Sequence, residues 1–104
     1  MKILAIEREQ EGVNWDAEKE TLEAEAKQVY ELYFSGYLRE IYFNEHYCAV
    51  ISLECESKEK AIELLDTLPL AKKKLIKFEV MELRPYTGYQ RLMKATKPPK
   101  DENA

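Results

Sequence analysis

The sequence predicts an α+β domain in which four strands and two helices follow one another as β-α-β-β-α-β. Three observations carry that prediction. Short apolar segments that alternate with charged residues lie near both ends of the chain. One long segment repeats its apolar residues at helical spacing. Between them runs Leu38 to Glu56 (LREIYFNEHYCAVISLECE), dense in β-branched and aromatic side chains and broken by the polar pair Asn44-Glu45.

Lys2 to Glu7 alternates weakly, is rich in aliphatic residues and reads as the first strand. The polar stretch 9–14 (EQEGVN) is a loop, with Trp15 at its end. From Asp16 to Ser35, Leu22, Ala26, Val29 and Tyr33 recur at steps of four, three and four, which lays an apolar stripe along a helix. Glu18, Glu20, Glu23 and Glu25 are expected on the outer face, Asn14 or Asp16 as the cap, and Gly36 as the stop. The run from Leu38 to Glu56 then forms a hairpin. Ser57 caps a second helix from Lys58 to about Leu68, with Ala61, Leu65 and Leu68 buried and Pro69 ending it. Lys72, Lys73 and Lys74 read as a solvated edge. Leu75 to Leu83 (LIKFEVMEL) alternates cleanly as the fourth strand, and Tyr89 to Lys94 as a short helical tail. Residues 1–94 are thus one domain, and 95–104 (ATKPPKDENA) a disordered tail without an apolar anchor.

That order is the ferredoxin-like arrangement, a four-stranded antiparallel sheet with two helices on one face. Two helices leave the other face bare. A homodimer that packs the two bare faces against each other is the expected assembly.

Composition narrows the function. The 104 residues are 45% hydrophobic and 35% charged, enough for one core under a soluble surface. No apolar run approaches the roughly 18–20 residues of a membrane span, and the apolar start, cut short by Glu7, is too brief for a secretory signal. A cytoplasmic location is expected. Residues 1–56 carry 13 acids and 5 bases, a net of −8, while 57–104 carry 7 acids and 11 bases, a net of +4. With a net charge of −4 the chain is a poor nucleic-acid binder. Cys48 and Cys55 are too far apart in sequence to bond across one strand, and two cysteines with one histidine do not make a zinc site. No metal or cofactor is expected, and no phosphate loop or nucleophile elbow is present.

Alternation sorts the hairpin. With a loop of two or four residues, Arg39, Ile41 and Phe43 share a face with His46, Cys48, Val50, Ser52 and Glu54. The other face carries Leu38, Glu40, Tyr42, Tyr47, Ala49, Ile51 and Leu53, and should pack under the helices. The first set combines apolar residues with a few polar groups, as ligand sites do. His46 moves protons near neutral pH, Glu54 can serve as an acid in an apolar setting, and Arg39 can fix an anion or pair with Glu54. A three-residue loop would invert this register.

These residues also resemble the muconolactone isomerase-like branch of the dimeric α/β-barrel proteins. The resemblance spans roughly residues 1–94. It rests on Arg39 opening the second strand, His46-Tyr47 at the start of the third, Glu54 near its end, Leu68-Pro69-Leu70 closing the second helix, and the run Leu75 to Leu92 (LIKFEVMELRPYTGYQRL) with Arg84-Pro85 after the fourth strand. It implies closure of the pair into a dimeric α/β barrel with a ligand cavity, and cofactor-independent proton transfer on a small lactone or conjugated acid, with His46 and Arg39 the positions carried over. Two other readings accompany it. One is a non-catalytic ligand-binding or assembly module of the same shape. The other is a cofactor-independent monooxygenase with Trp15, Tyr33 and Phe43 forming a flat apolar pocket. The expected site is therefore His46, Arg39 and Glu54 as catalytic groups, with Ser52, Phe43, Tyr33 and Trp15 against the ligand.

Overall fold

The computed structural model describes residues 1–93, so the tail expected from residue 95 lies outside them. The elements are β1 (Lys2–Glu9), α1 (Lys19–Phe34), β2 (Leu38–Phe43), β3 (Ala49–Glu54), α2 (Lys58–Leu65), the one-turn α3 (Pro69–Lys72) and β4 (Ile76–Leu83). Short 3₁₀ turns cover Trp15–Glu18 and Gly88–Leu92. The strands form one antiparallel sheet in the order β2-β3-β1-β4, so the fold is the expected ferredoxin-like one.

Local chemistry explains the boundaries. Gly36 stops α1 with φ +90°, a left-handed conformation that suits glycine, while its amide donates to Tyr33 O. Ser57 Oγ accepts from Lys60 N at 3.0 Å and starts α2. The first turn of the α1 region departs from expectation: neither Asn14 nor Glu18 makes a side-chain cap, and the chain enters through the 3₁₀ turn that holds Trp15. Pro69 does not simply end α2. It sits at the first position of α3, where its missing N–H costs nothing.

Register fixes which residues face the helices. Ile3 lies opposite Leu53 and Ala5 opposite Ile51, and on the other side Ala5 lies opposite Val80 and Glu7 opposite Phe78. Ile3, Ala5, Leu38, Ala49, Ile51 and Leu53 pack with Leu32 of α1 and with Ala61, Leu64, Leu65 and Leu68 of the α2 region into one core. The helix-free face carries Leu4, Ile6, Val50 and Met81, all half-buried, with Ser52, Glu40, Tyr42 and the exposed Arg8–Glu79 ion pair at 2.7 Å.

The hairpin corrects the sequence reading. Phe43 pairs with Ala49 and Ile41 with Ile51, so residues 44–48 form a five-residue loop. Asn44 organises it. Its Oδ1 accepts from the amides of His46 at 2.8 Å and Cys48 at 3.0 Å, and Tyr47 turns the chain at φ 58°. An odd loop inverts β2 relative to the even-loop register. Ile41 and Phe43 therefore join Ala49, Ile51 and Leu53 on the helix side, while Glu40 and Tyr42 join Val50 and Ser52 on the helix-free side. A bulge between Leu38 and Glu40 leaves Arg39 without a cross-strand partner.

Two substitutions test this packing. Leu53→Ala removes a fully buried side chain from the sheet centre and is expected to cost about 2–5 kcal/mol. Ser57→Ala removes the α2 cap and is expected to cost about 1 kcal/mol. Urea unfolding followed by circular dichroism measures both, and equal losses would contradict the assignment of core and cap.

Candidate functional site

The apolar stripe of α1 does not close onto the sheet. Leu32 is its one buried residue, while Leu22, Ala26, Val29 and Tyr33 line a cleft of about 590 Å³ between α1 and the sheet. Ile41, Phe43, Ala49 and Ile51 face them from β2 and β3, with Leu70 and Phe78 adding further apolar wall. Trp15, Tyr30 and Tyr47 also line it, and Tyr30, Phe43 and Tyr47 are well exposed at their positions. A volume of this size suits a small organic molecule.

Three carboxyl groups line this apolar space, the exposed Glu9 and the more enclosed Glu7 and Glu25. Glu7 continues the inward-facing series Ile3, Ala5 along β1 and is only 7% exposed. Its Oε1 accepts from the amide of Ala49 at 2.9 Å. Glu25 stands on the inner side of α1, one turn from both Leu22 and Val29, and its Oε1 accepts from the amide of Leu70 at 2.9 Å. Burial pushes the pKa of Glu7 up, the Ala49 amide offsets part of this, and the nearby charge of Glu9 adds to the rise. Burial likewise raises Glu25, the Leu70 amide opposes it, and the charge of Glu7 raises it further. Both acids belong to the wall of the cleft. Two coupled carboxyls in an apolar setting can share the work of acid and base.

Glu25 thereby departs from the outer face expected of it, whereas Glu18 binds Lys73 Nζ at 2.6 Å outside the cleft wall. Lys73 and Thr21 hold the Glu18 carboxyl below the usual carboxylate range. Both acids had a legible signal. Glu7 has the parity of Ile3 and Ala5, and Glu25 lies three residues from Leu22 and four from Val29, on the flank of the stripe. What concealed Glu25 was its company in a run of surface glutamates.

The expected site residues separate into two groups. Trp15, Tyr33 and Phe43 line the cleft together. Arg39, His46, Ser52 and Glu54 do not line it. His46 is exposed in the hairpin loop. Arg39 sits in the bulge and donates from Nε to Gly36 O at 2.7 Å. Ser52 is buried on the helix-free side, 3.4 Å from Glu40 Oε1. Glu54 pairs with the terminal amine of Met1 at 2.6 Å, which, together with the charges of Arg39 and Lys2, holds its carboxyl low.

Glu7, Glu9 and Cys48 bring metal-capable atoms within 4.8 Å of one another. Desolvation and the charges of Glu7 and Glu9 raise the Cys48 thiol, which keeps it protonated.

A scan against protein-family models and a search of curated proteins find no match. Among solved structures, the chain is similar to 5-chloro-2-hydroxyhydroquinone dehydrochlorinase (TftG) from Burkholderia phenoliruptrix AC1100 in complex with 2,5-dihydroxybenzoquinone. The TM-score is 0.65 at 12% identity, covering 85% of this chain and 98% of that one. The likeness establishes the ferredoxin-like fold.

The raised carboxyls have a consequence for stability. Their folded-state pKa lies above the unfolded value, so the folded state holds these protons more tightly, and the stability this gives is lost as pH rises through the folded pKa. Glu25→Gln keeps an acceptor for Leu70 N but cannot ionise. The stability of the wild type relative to this variant is expected to fall as pH rises from about 4 toward 8, followed by thermal unfolding across that range. A difference that does not change with pH would contradict the assignment.

Proposed function

We propose that this chain is a small-molecule enzyme that transfers protons on an unsaturated ring, a lactone or a related compound, bound in the α1 cleft. The observation that carries this reading is the pair of burial-raised carboxyls, Glu7 and Glu25, opening onto an apolar space of about 590 Å³. In the ionised state one of them removes a proton from the carbon next to a carbonyl. The other, protonated, returns a proton at the far end of the conjugated system, so the double bond moves and no charge is gained or lost. Exclusion of water by the surrounding side chains favours this exchange over loss of the proton to solvent. Trp15, Tyr33 and Phe43 hold the flat face of the ring. In this reading Glu7 and Glu25 take the acid–base role that the sequence pattern gave to His46 and Glu54. TftG acts on a hydroxylated ring, which supports a substrate of that size at the level of shared fold.

We propose also that a second copy covers the helix-free face of the sheet. Leu4, Ile6, Val50 and Met81 form an apolar strip there that no element among the described residues covers.

Turnover followed by ultraviolet absorbance tests the first proposal with unsaturated γ-lactones and di- and trihydroxybenzenes. Glu7→Gln, which retains the acceptor for Ala49 N, is expected to lower kcat/KM by roughly 10²–10⁴. No turnover of any of these rings by the wild type, or unchanged kcat/KM in the variant, would remove the reading. Light scattering at micromolar concentration is expected to give twice the 12.3 kDa chain mass, and a monomer would refute the second proposal.

A further inference from the structure

We infer that the cleft takes rings that donate hydrogen bonds and bear no negative charge, and that it turns carboxylates away. The inference rests on the cleft being the binding site proposed above and narrows what enters it. Three carboxyl groups, Glu7, Glu9 and Glu25, belong to its lining, and among the described residues no lysine, arginine or histidine does. The neighbouring cations are engaged elsewhere. Arg8 pairs with Glu79 on the helix-free side, and Lys73 binds Glu18 outside the cleft wall.

A bound anion would therefore meet like charge at short range without a counter-ion, in surroundings where apolar walls weaken solvent screening. A hydroxyl group meets the opposite situation. One oxygen of Glu7 and one of Glu25 are occupied by the amides of Ala49 and Leu70, so the ionised acid of the pair and the exposed Glu9 are left with oxygens that can accept from a ligand at the cleft wall. Acceptors in this number select donors, because a ligand without them leaves desolvated carboxyl oxygens unpaired. Trp15, Phe43 and Phe78 contribute apolar surface, to which the ring plane can stack. A phenol or an enol-bearing ring fits both requirements, and a ring acid fits only the second.

The test compares 4-methylcatechol with 3,4-dihydroxybenzoate, which share the ring and the two hydroxyls and differ by methyl against carboxylate. Binding is measured by calorimetry near neutral pH, and location by quenching of Trp15, the single tryptophan, which lines the cleft. The wild type is expected to bind the methyl compound with quenching and the carboxylate at least about tenfold more weakly. In the double variant Glu7→Gln, Glu25→Gln that gap is expected to shrink by about tenfold, and a far-ultraviolet circular dichroism spectrum matching that of the wild type shows that the variant is folded. Equal or tighter binding of the carboxylate by the wild type, no binding of either compound, or a gap untouched by the double variant would each overturn the inference. Discrimination without turnover of any ring would leave the inference standing and remove the catalytic reading. Turnover confined to carboxylate-bearing lactones would do the reverse.

Discussion

The face on which each residue of β2 lies depends on the side chain of Asn44. Its Oδ1 gathers the amides of His46 and Cys48, and its own amide donates to Cys48 O at 2.9 Å. That closes a five-residue loop around Tyr47 in a left-handed conformation, which costs a non-glycine residue of the order of 1–2 kcal/mol and needs such bonds to persist. Since side chains alternate with a period of two, one residue more or less in this loop would exchange the faces of the whole strand. Ile41 and Phe43 would leave the cleft, and Glu40 and Tyr42 would enter it. The apolar wall opposite α1 is thus set by the hydrogen bonds of a loop.

This explains how much could be read from the chain. The order of elements, the stop at Gly36 and the cap at Ser57 are local matters, decided by periodicity and by one or two residues, and they were legible. So was the burial of Ala49, Ile51 and Leu53, because β3 alternates clearly by itself. The register of β2 on β3 was not, since alternation orders residues within a strand but does not count those in a turn. Arg39 adds a second shift through its bulge. The grouping of Arg39, His46 and Glu54 needed an even loop and a regular strand, and neither is present.

The cleft was hidden for a different reason. An apolar stripe on a helix reads as core, and periodicity does not tell a stripe that touches the sheet from one that stands away from it. Here α1 is tied along its edge to the segment that follows α2: Glu25 takes the Leu70 amide, Gln28 donates to Thr67 Oγ1 at 2.9 Å, and Lys73 reaches Glu18. These ties hold the helix while Leu22, Ala26 and Val29 remain in contact with the open space. The result places two acids where ionisation is disfavoured, whereas Glu18 and Glu54, each beside a cation, are shifted the opposite way. The molecule keeps its stabilising acids at the surface and its strained ones at the cleft, a division typical of sites that trade stability for chemistry.

Glu7 and Glu25 are each steadied by a main-chain amide, not by a partner side chain. A main-chain donor survives every substitution except proline, so the residues at positions 49 and 70 can change identity while still holding the acids in place. The aromatic residues around them carry no such duty. Exchange of Trp15, Tyr33 or Phe43 would reshape the space a ligand sees without disturbing the main-chain grip on either carboxyl. The aromatic walls that shape the cleft and the grip that holds its acids are therefore mutationally separable, and the first can diverge widely before the second is touched.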